Sequence, residues 1–380
     1  MKKKILVVTE RRADYSKFVP ILRAIKKSKS LDYYLIVTGS HLLREHGYTI
    51  NEIKKDGFKI AASFPMYQRH KPDTGAEMAR AFGKAVIRLS YEIQRLKPDI
   101  ILAGFDIGAN LAAALIGAHM NIVVAHVEGG EVTGTIDESI RHATTRFAHL
   151  HFTSNIDATK RLEKMGEDPK YIFTVGNPAL DGIVEAKKIP VRNLAKEFGI
   201  DFKKPFVLVL QHTVTSEVDE VHLHVLKTVK AIKELGIQAI IVYGNADAGS
   251  KKISKIIKNS KIKQYPSLPY EKYINLLKHA SALVGNSSSG IIEAPFLHIP
   301  TVNIGTRQQG RLRVDSIIDA DYDKDQIKKA ILKATYNRDF LRKIKKSKSI
   351  YGDGKASKKL VSILESTDLM NIPIQKKLSY

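Results

Sequence analysis

Asn121-Ile-Val-Val-Ala-His-Val-Glu-Gly-Gly-Glu131, running on through Thr135-Ile-Asp-Glu-Ser-Ile-Arg-His142, decides how the rest of the chain is read. Its first five residues form an apolar run of buried-strand length, and residues 138–148 carry helical spacing. The whole therefore reads as strand, polar loop and helix, with Asp137 at the N-cap position. His126, Glu128, Glu131 and Asp137 fall where the strand ends and the helix begins, the edge of an open α/β sheet at which ligands bind. Two glycines between two glutamates let the backbone turn tightly and approach a ligand closely. A polar loop whose acids only cap a helix would explain the same residues. Three acids and a histidine at this density weigh toward chemistry.

The same unit recurs on both sides. Short apolar strands are expected at residues 5–9, 33–38, near 58, and at 99–104, 149–153 and 171–176. Helices are expected at about 15–27, 42–55, 73–96 and 108–120, with another ending at 165. The first unit places Arg11, Arg12, Asp14 and Ser16 at the carboxyl edge, and the fourth strand delivers Asp106 there. From 181 to 204 the strands vanish and Pro190, Pro205 and paired lysines appear, which reads as a linker. A second alternating set has strands at 206–210, 239–243, 282–285 and 301–305. Helices from 324 onward close it, and the last, near 355–365, is placed to return to the first half. The fold class is thus α/β: two Rossmann-like, doubly wound domains facing a cleft, residues 1–185 and 186–365, with a tail at 366–380.

Among 380 residues there is no cysteine, so neither a disulfide framework nor a thiolate metal site is available, which suits a reducing compartment. The apolar run after Met1-Lys-Lys-Lys4 stops at Glu10-Arg-Arg12, too short for a signal peptide, and nothing approaches the roughly 18 apolar residues of a membrane span. A cytoplasmic protein with no membrane partner is expected. The formal charge of +23, from 62 basic and 39 acidic residues, invites a nucleic-acid reading. The lysines, however, are spread along helix faces, and no aromatic residues interleave with them to stack bases. A solvated surface that attracts a polyanionic small substrate is the more economical account.

Gly285-Asn-Ser-Ser-Ser-Gly290 follows a strand and offers free backbone N–H groups to an anion. A plain serine cap fits it too, and it is neither a Walker loop nor a dinucleotide fingerprint. Pro295 limits any helix there to a short or kinked one. Glu293 is placed to reach a ribose, and Arg307 past the next strand to bind a diphosphate. His212 and Asn245 occupy equivalent strand ends. No metal-ligand spacing and no nucleophile elbow are visible, so neither metal nor cofactor is expected.

Arg12-Ala-Asp-Tyr-Ser16, the 126–142 stretch, Gly285-Asn-Ser-Ser-Ser-Gly290 and Asn303-Ile-Gly-Thr-Arg-Gln-Gln-Gly-Arg311 together resemble the hydrolysing UDP-N-acetylglucosamine 2-epimerases of sialic acid synthesis, which have the GT-B fold. The resemblance runs through roughly residues 1–365 in the same order. It implies that Arg12 and Ser16 touch the nucleotide-sugar from the first domain, and that His212, Asn245, Ser287, Ser288, Glu293 and Arg307 hold UDP from the second. Asp106, Glu128 and Asp137 would be the catalytic carboxylates, with His212 assisting departure of UDP. Gly130-Glu131 favours the hydrolysing branch. One departure stands out: the family's Gly-Asp-Arg after the fourth strand is here Gly104-Phe-Asp-Ile-Gly108, which displaces Asp106 and omits the arginine.

The implied chemistry suits these residue types. A carboxylate in a dry cleft removes the C2 proton, UDP leaves from C1, and the glycal takes water at C1 and a proton at C2 on the opposite face. UDP-N-acetylglucosamine and UDP are the expected ligands, and a homo-oligomer, dimer or tetramer, the expected assembly. UDP-N,N'-diacetylbacillosamine, a non-hydrolysing 2-epimerisation, and a glycosyltransferase of the same fold remain the alternatives.

Overall fold

The computed structural model describes residues 2–67 and 73–379. Uninterrupted aliphatic runs such as Ile5-Leu-Val-Val8 and Phe206-Val-Leu-Val-Leu210 have no polar side to give to water, and they form strands covered on both faces. In the first half these are β1 (Lys3–Thr9), β2 (Leu31–Val37), β3 (Ile60–Ser63), β4 (Ile100–Gly104), β5 (Val123–Val127), β6 (Leu150–Thr153) and β7 (Ile172–Thr174). They pair in the order β3-β2-β1-β4-β5-β6-β7. The second half forms β8 (Phe206–Leu210), β9 (Gln238–Val242), β10 (Lys263–Tyr265), β11 (Ala282–Gly285), β12 (Thr301–Ile304) and β13 (Ile317–Ala320), in the order β10-β9-β8-β11-β12-β13. The described pairings are parallel, as in β1 with β4 and β8 with β11. Helices alternate with the strands, giving the two Rossmann-like domains of a GT-B-like fold.

Strand order reverses between β1 and β4 in one sheet and between β8 and β11 in the other. Crevices open at such reversals, so the residues that follow these four strands are the ones a cleft between the sheets receives. The helix Arg12–Lys27 buries Phe18, Ile21, Leu22 and Ile25, one face at helical spacing, in the core of the first domain. The chain crosses between domains twice. Ala179, Leu180 and Ile183 of the helix Pro178–Glu185 belong to the core of the second domain, while Leu360, Val361 and Leu364 of the last long helix, Ala356–Ser366, belong to that of the first. The segment beyond it is tied down as well: Ser379 N–H donates to Gly166 O, and Lys376 pairs with Glu167 at 2.5 Å.

Several expected elements are revised. Residues 42–55 do not form one helix: two single 3₁₀ turns, Gly39–Leu42 and Arg44–His46, precede a short helix Ile50–Lys55, because Gly47 in the left-handed region breaks the run. The expected linker holds the helix Val191–Phe198. Strands β10 and β13 went unpredicted, being three or four residues long and partly polar at the sheet edges. Asp137 is not an N-cap; the helix is Ile136–Phe147 and Thr135 caps it, its hydroxyl accepting the Asp137 N–H at 3.3 Å. His126 lies inside β5, fully buried, with Nδ1 on the Thr145 hydroxyl and Nε2 on Phe105 O. Burial holds its pKa down, to about 3, so it is a neutral core residue. No described helix is long and apolar enough to cross a membrane.

Candidate active site

Phe105, just past β4, and Glu128, just past β5, both take left-handed backbone conformations, with φ of 67° and 63°. Such conformations cost non-glycine residues about 1–3 kcal/mol each and persist only where surrounding structure imposes them. Here Phe105 N–H donates to Val127 O and Glu128 N–H to Phe152 O, both at 2.9 Å, and the Phe105 ring packs on Phe18. The bend after each strand turns Asp106 and Glu128 toward the cleft. Gly130 continues the turn with φ of 79°, where a Cβ would lie 2.3 Å from Ala158 O, so only glycine fits.

The three carboxylates have three different settings. Asp106 receives the Arg141 guanidinium at 2.6 Å and that of Arg11 at 3.6 Å. Burial works to raise its pKa, yet Arg141, Arg11, Lys17 and Arg307 hold it well below the ordinary carboxylate value. Glu128 is buried, with Lys17 Nζ donating to its two oxygens at 2.7 and 2.9 Å and Asn177 donating at 2.6 Å. Asp137, in the first turn of its helix, meets Arg307 at 3.2 Å. Burial first, then the neighbouring charge of Asp106, pushes Asp137 up to about 6 despite Arg307 and Arg11.

The second domain faces them with positive charge and hydrogen-bond donors. His212 follows β8; its Nδ1 accepts the Asn245 N–H at 3.3 Å, so the neutral ring carries its proton on Nε2. Burial and then Arg307, Arg11 and Arg12 keep that ring neutral. After β11, Ser287 caps a single 3₁₀ turn, Ser288–Gly290, by accepting the Ser289 N–H, and the helix Glu293–Phe296 is four residues long, as Pro295 requires. Glu293 is buried with its pKa raised by that burial, and its Oε2 has no hydrogen-bond partner among the described residues. Arg307 is anchored by Asn286 O at 3.1 Å.

The two sides touch. Besides Arg307 with Asp137, Arg11 reaches Asp247 at 3.2 Å, Arg311 reaches Glu131 at 3.3 Å, and Arg12 donates to Ser267 at 2.9 Å. Gly134 N–H donates to Arg307 O, and a Cβ on Gly134 would sit 2.3 Å from Thr306 O. Between these bridges lies a narrow slot of about 100 Å³ bordered by Arg12, Ser16, His212, Asn245, Ser287, Ser288, Glu293 and Arg307. A second cavity of about 950 Å³, walled by Met66, Tyr67, Met78, Phe82, Ile136 and Ile140, adjoins it at Arg11 and Asp106. The slot is far below the roughly 300–1,000 Å³ of ligand pockets, as suits a cleft drawn shut by these cross-domain contacts, whereas the adjoining cavity is of that size.

The sequence profile of the UDP-N-acetylglucosamine 2-epimerase family matches residues 23–365. The chain belongs to this family. It is 34% identical over 385 residues, covering the whole of both chains, to a Legionella pneumophila protein named UDP-N,N'-diacetylbacillosamine 2-epimerase (hydrolyzing). It is 33% identical over 335 residues, 87% of each chain, to a UDP-N-acetylglucosamine 2-epimerase of Neisseria meningitidis. In fold it resembles the structure of UDP-GlcNAc 2-epimerase from Neisseria meningitidis bound to UDP-GlcNAc, with a TM-score of 0.81, 18% identity, and coverage of 96% of this chain and 100% of that one.

Within this 2-epimerase-family chain, eleven of the residues expected from the sequence border the slot or touch a residue that does. Asp106, Glu128 and the nucleotide-side set line it directly, and Asp137 contacts it through Arg307. Ser16 turns its hydroxyl back to Ala13 O at 3.0 Å while still lining the slot. Glu131 does not face the chemistry: Arg311 and Asn155 bind its two oxygens, making it a brace for Arg311. Sequence reasoning passed over Lys17 and Arg141. The first was legible as a lone cation on the buried face that carries Phe18 and Ile21, and the second as the residue one turn after Asp137.

Proposed function

We propose that the chain is a hydrolysing 2-epimerase of a UDP-linked N-acetylated amino sugar, with UDP-N-acetylglucosamine as substrate and N-acetylmannosamine and UDP as products. The observation that carries this reading is the placement of Asp106 and Asp137 in one cleft with unlike partners. Asp106 meets Arg141 at 2.6 Å and Arg11 at 3.6 Å, and Asp137 meets Arg307 at 3.2 Å, so that cations favour the charged form of the first while burial pushes the second up to about 6. Environments that push two acids apart assign them different tasks.

Asp137 takes the proton from C2 of the sugar. The electron pair forms the C1=C2 bond, and the bond from C1 to the β-phosphate oxygen breaks, releasing UDP. Arg307 and the Nε2–H of His212 meet the charge that grows on that phosphate. Water then adds to C1 of the glycal and a proton to C2 from the opposite face. The net reaction is nucleotide-sugar plus water to free 2-epimeric sugar plus UDP. Glu128, with both oxygens already bound by Lys17, is the fixed member that orients Lys17, Asn177 and Arg141. Glu293, buried with an unbound oxygen beside the serine turn, suits the two ribose hydroxyls.

A second reading, UDP-N,N'-diacetylbacillosamine, draws support from the larger cavity. Its Met66, Met78, Phe82 and Ile136 wall suits methyl and acetamido groups better than the hydroxyls of N-acetylglucosamine. Each nucleotide-sugar, supplied without acceptor in deuterated water and followed by NMR, tests both readings. A free amino sugar carrying deuterium at C2, together with UDP, is expected. A UDP-linked epimer with no free sugar would make the enzyme non-hydrolysing, and release of UDP only with an added acceptor would make it a glycosyltransferase.

A further inference from the structure

Arg11 lies between β1 and the helix Arg12–Lys27, with its backbone N–H fixed by Asp14 at 2.8 Å. Its side chain is nine-tenths shielded and points into the cleft, where it borders both the slot and the larger cavity. On its own domain it faces Asp106 at 3.6 Å; across the cleft it bonds Asp247 at 3.2 Å. Its charge is opposed by burial and supported by Asp247, Asp137, Asp106 and Glu10, in that order, and the carboxylates win. Nε is buried without a hydrogen-bond partner among the described residues, so this is not a fully satisfied structural bridge. The residue after Asp106 is Ile107, buried and apolar, so the β4 loop supplies no cation of its own.

We propose that Arg11 is a positioning residue that couples closure of the two domains to the proton affinity of the Asp106–Asp137 pair, with Asp247 as its competitor from the second domain. When the domains are apart, Arg11 has only Asp106, Asp137 and Glu10 to neutralise, and it favours both aspartates in their charged forms. On closing, Asp247 takes a share of the guanidinium and brings its own negative charge toward Asp137. Asp137 becomes the stronger base only once the cleft is shut and water is excluded. Of the other charges facing the pair, Arg141 and Lys17 stay with Glu128 on the same domain. Arg307 arrives with the second domain and holds Asp137 down, an effect that burial of the closed cleft outweighs. The inference rests on the reading of Asp137 as the base of a UDP-sugar reaction.

The test is the pH profile of kcat for Arg11→Met, Arg11→Lys and Asp247→Asn beside the unaltered enzyme. Without the Arg11 charge, Asp137 holds its proton to higher pH, so the acid limb of Arg11→Met moves up by about one unit. Asp247→Asn removes both the competitor and a negative charge, so its limb moves down. Arg11→Met also loses about tenfold to a hundredfold in kcat with little change in KM, and Arg11→Lys recovers part of it. Limbs that coincide with that of the unaltered enzyme, or that move the same way in Arg11→Met and Asp247→Asn, overturn the proposal. Should Arg11→Met not fold, Arg11→Lys and Asp247→Asn still have to diverge. Failure of the underlying reading would look different: no UDP would be released from either nucleotide-sugar by the unaltered enzyme.

Discussion

Arg307 of the second domain donates to Asp137 of the first at 3.2 Å, so the group proposed to bind the diphosphate is also the partner of the proposed base. A phosphate at Arg307 competes with Asp137 for the same guanidinium. Under the proposed function, nucleotide binding and release of the base from its ion pair would be one event, and the two residues ought to be separable by mutation.

Asp137→Asn keeps the shape of the side chain and leaves the Thr135 cap untouched. Turnover is expected to fall at least about a hundredfold, in the range typical of general acid–base catalysis. The melting temperature should not fall, and UDP affinity should rise slightly because Arg307 is freed. Near-normal turnover in this variant would remove Asp137 from the reaction.

With Asp137 pushed up to about 6, the kcat profile of the unaltered enzyme should bend down below about pH 6 as the base becomes protonated. The same shift has an opposite signature in stability. A carboxyl whose folded pKa exceeds its unfolded value of 3.8 lowers stability as pH rises between the two, so Asp137→Asn should gain relative stability across that window. Kinetics and thermal melts from pH 4 to 8 check both signs.

Arg307→Ala removes a charge-assisted contact to phosphate and should weaken UDP by about 1.5–3 kcal/mol. Calorimetry reads this directly. Affinity equal to that of the unaltered enzyme would place the diphosphate elsewhere.

Lys17→Met strands the buried Glu128 carboxylate, which keeps Asn177 and the more distant Arg141, and should cost about 3–5 kcal/mol of stability. Glu128→Gln added to it removes the stranded charge, so the double variant should be more stable than Lys17→Met alone. Denaturant melts of the three proteins give the coupling, and simple additivity would mean the pair does not act as a unit.

Glu167 gathers Arg146, His151 and Lys376, joining the end of the helix Ile136–Phe147 to the C-terminal segment. Burial opposes its ionisation, but His151 and Lys376 bring its pKa down to about 2 from 4.5. Its stabilising contribution is thus present above the unfolded value and lost as pH falls from about 4.5 toward 2. Glu167→Gln should melt lower than the unaltered enzyme at pH 7, with the gap closing in acid. A gap that does not change with pH would show that the interaction is not ionic.

The sequence by itself determined most of the strands, the two-sheet class and many of the residues that line the slot. Those depend on local facts: Phe206-Val-Leu-Val-Leu210 has no polar face, Phe18, Ile21, Leu22 and Ile25 share one, and Asp106, Glu128, His212 and Ser287 each stand just past a strand. The sequence misplaced what depends on a single turn of backbone, such as Thr135 rather than Asp137 as the cap, because adjacent Thr, Ile and Asp all suit a helix start. Only the tertiary structure decided the setting of each acid. Asp106, Asp137 and Glu128 are chemically alike in the chain. They differ because Arg11, Lys17, Arg141 and Arg307, from separate elements of both domains, come within a few ångströms of one or another of them. Charge acts through space and is strengthened by the exclusion of water, and neither distance across the cleft nor burial is written in the order of residues.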